Sequence, residues 1–138
     1  MPKKITRGMR NNNPLNIKFN VNNHWKREVR PSSDPVFCQF LDMSHGFRAA
    51  MLILSKYIIH YHLTSASAII QRFAPSSEND TCAYCSFVCN RMAKYNCDSS
   101  NIQVPSKDFF CLVDSMAVFE SNVNWGIDRL KLLYYELC

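Results

Sequence analysis

From about residue 44 onward, apolar positions recur at the three- and four-residue spacings of helices; before that they do not. Phe47, Ala50, Met51, Leu54, Tyr57 and Ile58 share one side of a long helix expected from a Ser44 cap to about Tyr61. Thr64 or Ser65 is placed to start a short helix through Ile69, Ile70 and Phe73, stopped by Pro75. Asp80 or Thr81 is placed to cap the next, with Tyr84, Val88 and Met92 four apart. Ser106 opens another, carrying Phe109, Phe110, Val113, Met116, Ala117 and Glu120. A last helix over Ile127 to Leu137 aligns Leu130, Leu133, Tyr134 and Leu137.

The first thirty-five residues read differently. Gly8, the run Asn11-Asn12-Asn13-Pro14, Asn16, Asn20, Asn22-Asn23, Pro31 and Asp34-Pro35 favour turns, through side-chain bonds to backbone and the fixed φ of proline. They predict an ordered loop segment. Val36 to Phe40 reads as a short aromatic strand, with Ile17 to Phe19 as its partner in a small hairpin or two-stranded sheet. The expected class is mainly α with a minor β element (α+β).

The chain has 138 residues, enough for one domain over 1–138: a basic Asn/Pro-rich segment over 1–35, then a strand and helices over 36–138. Hydrophobic residues at 47% against 20% charged exclude a disordered or fibrous chain. Ser55, Lys56, His60 and His62 break the longest apolar run, so no membrane span is expected. The opening Met1-Pro2-Lys3-Lys4-Ile5-Thr6-Arg7 has charge but no apolar core, so no signal peptide is expected and synthesis in a cytoplasm follows. Seven cysteines, an odd number, cannot all pair within the chain, and reduced thiols are the default.

The net charge is +5, and Lys3, Lys4, Arg7, Arg10, Lys18, Lys26, Arg27 and Arg30 crowd the first thirty residues with only Glu28 against them. Such a segment suits a polyanion, either nucleic acid or an anionic cell-wall polymer, and equally suits a solvated surface. No helix-turn-helix or aromatic RNA-binding signature supports nucleic acid, which ranks last.

Cys82, Cys85 and Cys89 share a helix face and Cys97 follows. A straight helix spreads the first and third by about 10 Å, so core packing is preferred to zinc and no metal or other cofactor is expected. His24, His45, His60 and His62 form no ligand or catalytic pair. Glu120 is the more telling acid. It follows Met116 to Phe119 at a helix end and precedes Trp125, surroundings that raise a carboxyl's pKa and suit a general acid. Glu78 is a second candidate, though with Asp80 it also suits the dipole of the following helix N-terminus.

The run Arg7-Gly8-Met9-Arg10-Asn11-Asn12-Asn13-Pro14-Leu15-Asn16-Ile17-Lys18 resembles the signature of short phage and prophage proteins described as virion structural proteins or lysozyme-like cell-wall hydrolases. The resemblance continues through Trp25-Lys26, Phe37 to Phe40, Gly46 to Ala50, Arg72-Phe73-Ala74-Pro75, Glu78-Asn79, Thr81 and Tyr84, covering about residues 7 to 122. Phe73 stands where those proteins usually carry Trp. The chain is also similar to bacterial glucosaminidases, whose catalytic Glu ends a helix ahead of an Asn-rich loop, a Trp-Lys pair, an aromatic strand and a helix. Here Ala117-Val118-Phe119-Glu120-Ser121-Asn122 comes last instead of first, which looks like a circular permutation of a lysozyme-like fold.

The resemblance implies a peptidoglycan glycan-strand hydrolase (muramidase, glucosaminidase or lytic transglycosylase) with Glu120 as general acid. Glu78 would be the second carboxylate, unless the substrate's acetamido group replaces it. Asn12, Asn13, Asn16 and Lys18 would order the cleft and meet the sugars, with Trp25, Phe40 and Tyr84 as apolar faces. The implied partners are peptidoglycan strands and other virion proteins, at the bacterial wall or in the virion. The rival expectation is a non-catalytic virion structural or host-interaction protein on the same fold. The two differ over Glu120: an enzyme places it in a cleft beside residues 12–18, and a degenerate relative leaves it on an open surface or paired with Arg.

Overall fold

The computed structural model describes residues 4–77 and 79–138. Among these, the regular elements are helices: α1 (Arg7–Arg10), α2 (Met43–Ile59), α3 (Ala66–Phe73), α4 (Thr81–Lys94), α5 (Lys107–Ser121) and α6 (Ile127–Leu137). The mainly α class stands. None of these helices is long and apolar enough to cross a membrane.

Local side-chain caps account for most of the boundaries. Ser65, Asp80 and Ser106 each accept a hydrogen bond from the backbone N–H three residues on, which starts α3, α4 and α5 where expected. The start of α2 is corrected. Asp42, not Ser44, is the cap: its Oδ1 accepts from the His45 N–H at 2.9 Å and lies 2.7 Å from His45 Nδ1. A carboxylate in extended backbone outcompetes a hydroxyl two residues later, which therefore falls inside the helix. Thr6 caps α1, a single turn within what the sequence presents as loop.

The anticipated hairpin is also corrected. Residues 36–40 pair antiparallel on one side with residues 17–19, as expected, and on the other with residues 27–29, yet only as the isolated bridges Lys18–Phe37 and Glu28–Phe40. Asparagine side chains interrupt the ladder. Asn13 Nδ2 donates to the Cys38 carbonyl at 2.9 Å and Asn12 Nδ2 to the Phe40 carbonyl at 3.1 Å.

Helix α5 is the centre. Every residue from Phe109 to Ala117 is buried, as befits a helix wrapped on all sides, here by α4, α6, α1 and the loop after α5. Its polar members are satisfied. Asp114 meets Arg91 of α4 at 3.0 Å, and its other oxygen accepts the backbone N–H of Trp125 and Gly126 at 2.9 and 3.0 Å. Arg91 also donates to Ser115. The apolar core runs continuously from Leu15 to Leu133.

The Asn-rich segment lies against both α5 and α2. Thr6 Oγ1 donates to the Ser121 carbonyl at 2.6 Å, and Gly8 sits so close to Ser121 that a side chain there would collide with its hydroxyl. At Gly46 in α2, a Cβ would overlap the Asn12 carbonyl oxygen, so a glycine is what lets the loop lie on the helix. Asn12 and Asn16 both adopt the left-handed conformation at φ 52°, which asparagine tolerates better than other side chains.

Candidate active site

Glu120 lies in the last turn of α5, half-buried, where the Asn-rich segment crosses the helix end. Asn16 Nδ2 is 3.3 Å from both the Glu120 backbone oxygen and Oε1, so one amide anchors the helix terminus and orients the carboxyl. Burial pushes the Glu120 pKa up from its ordinary value, and the hydrogen bond from Asn16, with the nearness of the Tyr84 phenol, only partly offsets it. Tyr84, from α4, is 2% exposed, and its ring stacks on Phe119 with centroids 4.2 Å apart. Burial raises the phenol's pKa strongly and the Glu120 charge adds to it. The two groups are near neighbours, but no well-aligned hydrogen bond joins them: among the described residues Tyr84 Oη and Asn16 Oδ1 are buried and unpartnered. A buried hydroxyl left unpartnered beside a half-buried carboxyl is an unsatisfied group that a site for a ligand could account for.

The carboxyl opens into a cleft of about 990 Å³ between the Asn-rich segment and helices α2 and α3. Asn16, Lys18 and Trp25 line it from one side, and Lys56, Tyr57 and Tyr61 from α2 and its end, with Arg72 from α3, from the other. Glu120 is the one carboxylate in its wall among the described residues. The Arg72 guanidinium lies 4.0 Å from the Tyr61 ring centre and 5.1 Å from that of Tyr57, and Lys56 Nζ is 5.9 Å from Tyr61. Burial raises the Tyr57 phenol's pKa, and the Arg72 charge beside it acts in the opposite sense.

The structure thus brings together Glu120, Asn16, Lys18 and Trp25 in one cleft, with Tyr84 behind the acid. Asn12 and Asn13 are placed elsewhere. Asn13 is fully buried, donating to the Ile17 and Cys38 carbonyls and accepting from the Ile17 N–H, and Asn12 holds the Phe40 carbonyl. Their amides fasten the loop to the chain instead of facing the cleft. Phe40, at 1% exposed, is core, and Tyr84 is too enclosed to offer a face to a sugar. Glu78 lies outside the described residues. Cys97 and Cys111 are buried, whereas Cys82 is exposed, so the expected core role fails for that thiol. Among the described residues, no three His, Cys, Asp or Glu side chains gather as a metal site.

A phage protein shares much of this sequence. The chain is 46% identical over 90 residues to Protein P5 of Pseudoalteromonas phage PM2, across 64% of this chain and 56% of that protein. The chain therefore matches only about half of its phage relative's length. No family model matches the chain.

Sequence reasoning missed Lys56, Tyr57, Tyr61 and Arg72 as cleft residues. The available signal was the pair Tyr57 and Tyr61, four apart at the end of a helix, with Lys56 immediately before them.

Proposed function

We propose that this chain is a phage-derived domain that binds the glycan strands of peptidoglycan and cleaves them with Glu120 as general acid. The observation that carries the reading is the setting of that carboxyl, half-buried and held by Asn16, in the wall of a cleft large enough for several sugar rings. Burial raises its pKa, which is the direction a general acid needs. Glu120 would pass that proton to the glycosidic oxygen as the bond to C1 breaks. The positive charge developing at C1 would be met by the substrate's own 2-acetamido oxygen or by a second carboxylate, for which Glu78 remains the candidate. Trp25 and Lys18 would contact the sugars, and the single lysozyme-like domain, in permuted order, would supply the frame.

Digestion of purified peptidoglycan by the parent and Glu120→Gln, with soluble products read by mass spectrometry, tests this. Muropeptides released by the parent alone are expected, at a rate at least about a hundredfold above the variant. Reducing or anhydro ends would name the reaction. Equal release by the two proteins overturns the role of Glu120.

A second reading has its own support. The similarity to a phage protein favours a non-catalytic virion or host-interaction component over the enzyme. On that reading folded parent protein releases nothing from any wall type, while still binding the wall or other virion proteins.

A further inference from the structure

The end of the cleft formed by α2 and α3 carries positive charge that the cleavage chemistry does not use. Arg72 is exposed but not loose: its guanidinium rests against Tyr61 and Tyr57, and Lys56 Nζ lies 5.9 Å from the Tyr61 ring centre. No carboxylate pairs with Arg72 or Lys56 among the described residues; the ion pairs there are Arg7–Asp34, Arg30–Glu28, His45–Asp42 and Arg91–Asp114. A planar cation pre-oriented on two rings, with a second cation beside it and donors left open, is suited to grip a planar anion bidentately. The same rings give apolar faces for a sugar. All four residues line the cleft that holds Glu120, so an anion bound here belongs to the molecule presented to the acid.

We propose that Arg72 and Lys56, positioned by Tyr57 and Tyr61, form a subsite for a carboxylate borne on the glycan, which selects an acidic sugar chain over a neutral one. This rests on the glycan-cleavage reading and adds the feature of the substrate that the cleft recognises. Lactyl carboxylates fit this chemistry where the stem peptides have been removed and the acid is free, so the preferred substrate is a denuded glycan strand and not one still carrying its amide-linked peptides.

The test is calorimetric titration of the full chain carrying Glu120→Gln, which prevents turnover, with three tetrasaccharides. These are a wall tetrasaccharide with free lactyl carboxylates, the same molecule with those carboxylates amidated, and neutral chitotetraose. The free carboxylate form should bind roughly tenfold more tightly than the amidated one, the worth of about one charge-assisted hydrogen bond. Adding Arg72→Gln or Lys56→Gln should remove that preference and leave chitotetraose binding unchanged, while Arg72→Lys should keep part of it. Thermal melts accompany each variant, and if Arg72→Gln melts early, Lys56→Gln decides. Equal affinity for the charged and amidated forms, or a preference surviving both substitutions, overturns the subsite. Displacement of the charged ligand by inorganic phosphate but not by acetate would also overturn it, in favour of a phosphate site. If chitotetraose binds without any preference for charge, the subsite fails and the glycan reading stands. Binding of none of the three overturns both.

Discussion

Two halves of this molecule are held together by different forces. The segment over residues 6–41 contains little regular structure and is fastened by side chains bonded to backbone: Asn13 to Ile17 and Cys38, Asn12 to Phe40, Asp34 to Val36 and Phe37. The helices from α3 to α6 are held by apolar burial around α5, with the buried Arg91–Asp114 ion pair at the centre. Directional bonds can fix an irregular loop to a fraction of an ångström, which burial alone cannot do, while burial supplies the stability that such a loop lacks. The acid sits at the seam. Burial at the end of α5 raises the Glu120 pKa, and the Asn16 amide aims the carboxyl.

The largest effect should come from breaking the helical half at its buried ion pair. Asp114→Ala leaves Arg91 without its partner and two backbone N–H groups without an acceptor, and should cost about 3–5 kcal/mol in urea denaturation. A loss below about 1 kcal/mol would mean that burial alone holds that half. Asn13→Ala should come next, at about 2–3 kcal/mol, because it orphans buried backbone groups of Ile17 and Cys38. It should also speed amide exchange at Ile17 and Cys38 while α5 stays protected. Uniform loss of protection would show that the two halves unfold as one unit.

The smallest effect is the most discriminating, because the two halves should respond to pH in opposite directions. The Arg7 guanidinium, with backbone N–H groups and Asn11, holds the Asp34 carboxyl well below the usual carboxylate range. Asp34 is covered by these partners yet lies at the surface and not deep in the core. Its contribution is present above the unfolded-state pKa and is lost as pH falls through the folded one. Glu120 has a raised pKa, so its contribution is present below the unfolded-state value and is lost as pH rises through the folded one. Thermal melts should therefore show Glu120→Gln slightly more stable than the parent at neutral pH, the gap closing in acid. Asp34→Asn should be less stable at neutral pH, its deficit also closing in acid. A Glu120→Gln gap that widens on acidification would contradict the burial described for that carboxyl.

Much of the helical half was legible in the sequence, because caps and apolar spacing act over a few residues: Ser65, Asp80 and Ser106 each start the helix they foreshadow. Glu120 was legible for the same reason, as an acid embedded in an apolar run. The Asn-rich segment was legible as ordered but not in detail. The partners of Asn12 and Asn13 are 28 and 25 residues away, so nothing local distinguishes an asparagine holding backbone from one facing a ligand. The basic, aromatic end of the cleft was hidden likewise, since Arg72 meets Tyr57 and Tyr61 only after α3 folds back on α2. Tyr84, expected as an apolar face for a sugar, lies under Phe119 and not in the open.

The contacts from Thr6 to Ser121 and from Asn16 to Glu120 span 115 and 104 residues of chain. Closing loops of that length is entropically costly and happens late in folding. During synthesis the helices up to α4 emerge before α5, the helix they pack around, and so before the acid at its end. The carboxyl acquires its orienting amide only when the chain has emerged past residue 121. The carboxyl, the amide that orients it and the helix that packs the cleft's walls therefore come together in one late event.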